Sequence, residues 1–170
     1  MNYVVAVIPP QSVQEVANSY RKRYDPQYDV ICPHIKLTEI FYADSDQMGK
    51  IHQFLRQVAN ETAPFTVKHH KVGHFHPTNN VIYLAIQDEE PFIALQRKLY
   101  ASPYMSTERL YSYVPHLTIG QKLSDDELHD VYGQLRMKKL ELEYTADCFH
   151  LLKEMEDKTW RIYQTYPFNP

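Results

Sequence analysis

The chain has 170 residues, of which 44% are apolar and 23% charged, and this predicts one folded domain over residues 1–170. Its net charge of −3 argues against a broad cationic surface that coats nucleic acid, and leaves a local basic patch open. It contains no apolar run of about 18 residues, so we expect no membrane span. The two cysteines, Cys32 and Cys148, lack CxxC spacing, which predicts a reducing cytoplasmic location.

The first half of the chain predicts the element order β-α-β-α-β. Apolar runs indicate strands, and apolar residues at helical spacing indicate amphipathic helices. The predicted elements are a strand over 3–8, a helix over 12–24, a strand from His34 to about Tyr42, a helix after the cap at Asp44, and a strand over 65–76.

The second half predicts the same order. Ser124 and Glu127 stand in capping-box positions, which indicates where its second helix begins. The predicted elements are a strand over 81–86, a helix over 91–101, a strand with His116, a helix from Ser124 to about Leu135, and a strand over 140–155 with a hairpin partner over 159–166.

The repeated order predicts an α+β fold. We expect a bilobal molecule with two pseudo-symmetric β-α-β-α-β lobes, whose antiparallel sheets flank a central cleft. Lobe 1 should cover about residues 1–78 and lobe 2 about residues 79–170. No linker rich in Gly, Pro or Ser separates the halves, so the lobes should form one unit.

A short phrase occurs once in each half. Residues 33–37 read Pro-His-Ile-Lys-Leu and residues 115–119 read Pro-His-Leu-Thr-Ile. Because residues i and i+2 of a strand share a face, each copy presents a histidine with its second neighbour, above apolar residues. Either phrase alone is compatible with coincidence. Their matching positions in a repeated architecture favour a paired site built from His34 and His116.

Two such histidine motifs in two α+β lobes resemble the 2H phosphoesterase superfamily, also called LigT-like, whose best-studied members act on RNA with 2′,3′-cyclic phosphate ends. Residues 17–26, 79–83, 114–121 and 123–127 resemble, more narrowly, a phosphoesterase branch of Bacillus-like bacteria. The resemblance implies that His34 and His116 are catalytic and that Thr118 binds phosphate. In the first motif Lys36 replaces the family's Thr or Ser, and Thr38 is a weaker candidate substitute.

The chemistry of ring opening fits two histidines. A base must activate water and an acid must protonate the leaving ribose oxygen, and imidazole serves as either near neutral pH. No cofactor or metal is then required. Lys36 has two interpretations: a cation that holds phosphate and favours neutral His34, or the mark of a decayed site that binds without turnover.

Other side chains are weaker candidates. His70, His74 and His76 would share a strand face and could bind zinc, but histidines at a strand end are more commonly surface residues. The resemblance brings the segment of His74 and Phe75 towards the cleft, so that either could line it, and Tyr113 is a candidate for stacking on a base. The basic run 21–23 is typical of a solvated helix end, with contact to an RNA backbone as the alternative.

These observations predict a metal-independent hydrolase of a cyclic phosphodiester, whose partner is a nucleotide or RNA with a cyclic phosphate end. Two alternatives stay open. One is a non-catalytic RNA- or nucleotide-binding module with a degenerate first motif, and the other is RNA end-ligation, by the reverse transesterification. Neither membrane association nor a particular protein partner is predicted.

Overall fold

The computed structural model describes residues 1–105 and 112–170, and within these it contains nine strands and four helices. The elements are β1 (Asn2–Val7), α1 (Gln11–Tyr24), β2 (Ile35–Lys36), β3 (Phe41–Tyr42), α2 (Ser45–Asn60), β4 (Phe65–His74), β5 (Ile82–Ile86), α3 (Glu90–Tyr100), β6 (His116–Gly120), α4 (Asp125–Leu135), β7 (Leu142–Ala146), β8 (Cys148–Glu154) and β9 (Trp160–Pro167). The predicted order β-α-β-α-β, repeated, is confirmed, and β9 is the predicted hairpin partner of β8.

The strands form two antiparallel sheets. One has the order β2-β1-β8-β9, with β3 also pairing with β1, and the other has the order β6-β5-β4-β7. The two orders correspond strand for strand, so β2 and β6, which belong to the two histidine motifs, occupy the same edge position in their sheets. This arrangement confirms the predicted α+β class with two antiparallel sheets.

The sheets do not follow a division of the chain at residue 78. β4, assigned by sequence to lobe 1, pairs with β5 and β7, whereas β8 and β9, assigned to lobe 2, extend the sheet of β1. The predicted strand over 140–155 is interrupted at Asp147, and its two parts belong to different sheets. Each half therefore supplies a strand to the other half's sheet, which local sequence patterns do not reveal.

Local capping signals match the observed helix starts. Asp44 and Ser124 accept hydrogen bonds from backbone N–H groups three residues later, and the Gln47 and Glu127 side chains accept in return from the backbone N–H groups of the cap residues. The predicted capping box at Ser124 is thus confirmed. Among the described residues, no helix is both long enough and apolar enough to cross a membrane.

The predicted strand from His34 to Tyr42 is wrong in its length. It is reduced to β2 and β3, with a turn between them. The N–H groups of Leu37 and Thr38 both point to the carbonyl of Val5, at 2.8 and 3.3 Å, and the Thr38 hydroxyl accepts from the Val5 N–H at 3.1 Å. This doubled pairing breaks the alternation, so two consecutive residues are buried.

Apolar side chains behind the motifs hold them against the core. Ile35 and Leu117, the residues after the two histidines, are both fully buried. Because neighbours on a strand point to opposite faces, burying these residues turns the histidine side of each motif away from the core.

Candidate active site

A cavity of about 590 Å³ brings the two motifs together. All four principal residues predicted from the sequence line it: His34, Lys36, His116 and Thr118. The cavity lies where the edge strands β2 and β6 of the two sheets meet.

The two imidazoles are held in the same way. Nδ1 of His34 lies 2.9 Å from the carbonyl oxygen of Cys32, and Nδ1 of His116 lies 2.7 Å from that of Val114. A carbonyl oxygen only accepts, so Nδ1 must carry the proton in both rings. Each neutral ring therefore keeps its lone pair on Nε2, the nitrogen that can take or return a proton.

Burial and charge lower the pKa of His34 to about 4 from its ordinary 6.5. Desolvation is the largest cause, the Cys32 carbonyl opposes it, and the charges of Arg21, His116 and Lys36 lower the pKa further. His34 is therefore neutral at pH 7.

The pKa of His116 is also lowered, again mainly by burial. The Lys36 charge lowers it further, whereas the Val114 carbonyl and the Glu39 carboxylate oppose the shift. The Glu39 carboxylate thus raises the pKa of His116, whereas no carboxylate is among the causes of the pKa shift of His34.

Lys36 is held by a neighbour that the sequence analysis missed. Its amine lies 2.9 Å from a carboxylate oxygen of Glu39, and the two side chains are 40% and 52% exposed. The spacing i, i+3 was a signal available in the sequence, but the predicted strand concealed it, because residues i and i+3 of a strand point to opposite faces. The turn after β2 brings the pair together.

The second half of the chain supports this turn. The Tyr113 hydroxyl donates to the carbonyl of Lys36 at 2.8 Å, and the Tyr100 hydroxyl accepts from the backbone N–H of Glu39 at 2.9 Å. Burial raises the pKa of Tyr113, so its hydroxyl stays protonated. Tyr113 lines the cavity, as does Thr38, whose hydroxyl is already bound to the backbone of β1.

Aromatic rings pack against His116. The Phe75 ring meets it edge-on at 4.8 Å between centroids, and Tyr83 lies at 5.2 Å. Phe75 also lines the cavity. These rings fix the plane of the imidazole that the Val114 carbonyl orients.

His74 is placed elsewhere, because it is not among the cavity-lining residues and packs 4.6 Å from Tyr132 on α4. A bulge between His69 and Lys71 shifts the register of β4, so the regular alternation expected for its histidines is interrupted. Within residues 1–105 and 112–170, no group of three or more His, Cys, Asp or Glu side chains is arranged to hold a metal ion.

Comparisons with known proteins agree with this geometry. A family model described as the 2′-5′ RNA ligase superfamily matches residues 9–158. A Bacillus pumilus protein named "Putative phosphoesterase" is 42% identical over 166 residues, covering 98% of this chain and 96% of its own. The chain belongs to the 2′-5′ RNA ligase superfamily. A Geobacillus relative of the same description is 43% identical, covering 98% of this chain and 95% of its own.

Two solved structures share the fold. Escherichia coli LigT complexed with 3′-AMP superposes with a TM-score of 0.74 at 13% identity, covering 99% of this chain and 98% of its own. A protein from Thermus thermophilus superposes with a TM-score of 0.70 at 15% identity, with the same coverage. The family, the phosphoesterase relatives and the fold confirm the resemblance to the 2H phosphoesterases.

Proposed function

We propose that this protein is a metal-independent phosphoesterase that hydrolyses a cyclic phosphodiester, with a 2′,3′-cyclic nucleotide or RNA end as its substrate. The observation that carries the proposal is the equivalent setting of His34 and His116. Each ring donates from Nδ1 to a carbonyl two residues earlier, keeps Nε2 for chemistry, and lines the same cavity.

In this mechanism His34 is the base and His116 the acid. Neutral His34 takes a proton from water, whose oxygen attacks phosphorus, and the bond from phosphorus to one ribose oxygen breaks. Protonated His116 gives its proton to that oxygen, and exchange with solvent resets both rings. The assignment rests on a difference in charge: Arg21 and Lys36 lower the pKa of His34 further, whereas on His116 the Glu39 carboxylate partly offsets the lowering of the pKa by burial and by Lys36.

Lys36 and Thr118 bind the non-bridging phosphoryl oxygens. Negative charge grows on these oxygens as the pentacoordinate transition state forms, so an ammonium group and a hydroxyl stabilise it more than the ground state. The amine of Lys36 has three donors, and the contact with Glu39 uses one of them. It can therefore bind phosphate without leaving Glu39.

The cavity supports a substrate larger than phosphate. Its volume of about 590 Å³ falls in the range of small-molecule sites. Phe75 and Tyr113 supply aromatic surface for a base. The fold neighbour LigT is complexed with 3′-AMP, a nucleotide. Cys32 and Cys148 are free thiols, which fits the proposed cytoplasmic location.

One observation favours a second candidate, a nucleotide-binding module without turnover. The amine of Lys36, at the position of the family's Thr or Ser, is already paired with Glu39. If that pairing withholds the amine from phosphate, the first motif binds the substrate but does not stabilise the transition state.

The deciding experiment is a substrate screen. Parent protein is incubated with 2′,3′-cyclic nucleotides, cyclic-ended oligoribonucleotides and ADP-ribose cyclic phosphate, beside the His34→Ala/His116→Ala double variant. We expect ring opening by the parent alone. Binding of these compounds by the parent without turnover would establish the binding module instead. The absence of both binding and turnover would refute both proposals.

A further inference from the structure

Arg21 differs from the basic residues beside it. The basic run 21–23 is typical of a solvated helix end, yet Arg21 is 2% exposed while Lys22 and Arg23 are exposed. Its partner Asp25, one helical turn later, is 5% exposed. Removing an ion pair from water is costly, so the burial of Arg21 and Asp25 must be compensated by further hydrogen bonds.

The guanidinium of Arg21 holds the segment that leads to His34. It donates to the carbonyl of Ile31 at 2.6 Å and to that of Gln27 at 3.2 Å, while its Nε pairs with Asp25 at 3.2 Å. Ile31 immediately precedes Cys32, whose carbonyl accepts from the His34 ring. Arg21 is therefore connected to the first imidazole through one short stretch of backbone.

Asp25 holds the segment that follows His116. Its Oδ1 accepts from the Gln121 side chain at 2.9 Å, and the backbone N–H of Gln121 donates to the carbonyl of Tyr24 at 3.0 Å. Gln121 directly follows β6, which begins at His116. The preceding Gly120 allows a close approach, because a Cβ there would lie 3.1 Å from Cβ of Tyr24.

We propose that Arg21, Asp25 and Gln121 are positioning residues that set the placement of the two histidines relative to each other. This inference rests on the proposed function. The histidine motifs stand on edge strands of different sheets, so sheet hydrogen bonding does not by itself fix the distance between them. The C-terminal end of α1 binds both segments and adds a constraint to the one that the Tyr113–Lys36 hydrogen bond supplies.

Positioning of this kind acts on the rate of the chemical step. Water and the leaving oxygen lie on opposite sides of phosphorus, so base and acid must both be in reach at once. Displacing a catalytic group by about 1 Å can cost about 100-fold in rate. The charge of Arg21 adds a second effect, because it lowers the pKa of His34, as the charges of Lys36 and His116 also do. The pKa of His116 responds instead to the charges of Lys36 and Glu39.

The test uses two variants and a matched control. Gln121→Leu removes the side-chain hydrogen bond to Asp25 without leaving an unpaired cation, and Arg21→Met/Asp25→Asn removes both buried charges together. Arg23→Gln removes an exposed arginine from the same helix. Each protein is assayed for kcat and KM with 2′,3′-cyclic AMP and for melting temperature. Imidazole NMR titrations give the pKa of each histidine and the affinity for inorganic phosphate.

We expect Gln121→Leu to lower kcat about 10- to 100-fold with little change in KM or melting temperature. The Arg21→Met/Asp25→Asn variant should move the pKa of His34 upward towards its ordinary value. The Arg23→Gln control should match the parent in all readouts.

Two further results separate the two proposals. If the parent shows no turnover, the proposed function fails. The positioning role is then tested only by the histidine pKa values and the phosphate affinity from NMR. Unchanged histidine pKa values, phosphate affinity and kcat in both folded variants would overturn the positioning role, even with an active parent.

Discussion

Replacing Lys36 by alanine tests the position at which the first motif departs from the second. Removing one oxyanion donor costs about 2.7–4 kcal/mol in well-buried sites. The Lys36 side chain is 40% exposed and is paired with Glu39, so water and the carboxylate screen its charge. We therefore expect a loss below that range, about 2 kcal/mol, which corresponds to about 30-fold in kcat.

The assay compares the parent, Lys36→Ala and Lys36→Thr on one cyclic nucleotide under single-turnover conditions. Lys36→Thr should recover part of the rate, because it recreates the pattern of Thr118 on the equivalent strand. The matched control is Lys68→Ala, since Lys68 is also exposed and lies 4.0 Å from a carboxylate oxygen of Glu143, in the other sheet. This control should keep the parental rate.

Two outcomes contradict the reasoning in different ways. Equal, easily measured rates for the parent and both Lys36 variants would show that the lysine takes no part in catalysis. A nearly inactive parent that gains activity in Lys36→Thr would show instead that the lysine marks a decayed site, and would favour the binding module.

Three more predictions concern pH and metal. The acid limb of kcat/KM should lie near pH 4, because a base with a pKa of about 4 is neutral above that value; a limb near pH 6.5 would remove His34 from that role. EDTA should leave turnover unchanged, and loss restored by one metal would refute the metal-independent mechanism. His69 is 1% exposed, and its pKa is lowered to about 4 by burial, so the unfolded chain binds more protons between pH 6.5 and 4. The contribution of His69 to the free energy of unfolding should therefore decrease by about 2 kcal/mol from pH 7 to 5, beside a similar loss from buried His34, and urea denaturation of His69→Leu should show a pH dependence weaker by about that amount.

Local signals in the sequence predicted the elements well. Apolar spacing located α1, α2 and α3, and the capping box of Ser124 and Glu127 located α4. These features depend on interactions within one or two turns of the chain, which is the range that sequence patterns report. The pairing of β4 and β8 with distant strands depends on tertiary contacts, and the division at residue 78 missed it for that reason.

The sequence predicted those residues of the candidate site that belong to the two histidine motifs. His34, Lys36, His116 and Thr118 line one cavity, and their i, i+2 spacing was the signal. Whether the four perform the chemistry stays a prediction that the experiments above test.

Arg21 was missed because two exposed basic neighbours made the run look solvated. The available signal was Asp25 at i+4, where an oppositely charged pair lies on one helix face. Its burial follows from the loop that folds over it, which no helical period indicates.

The exchanged strands have a consequence for how the chain acquires its structure. Ala6 of β1 pairs with His150 of β8, which is 144 residues further along (150 − 6). The first sheet is thus incomplete until a ribosome has released almost all of the described chain. Until then, the edge of β1 that pairs with β8 has no partner. Contacts of such large separation slow folding. Fragments cut at residue 78 should each stay unfolded alone and recover structure only when mixed.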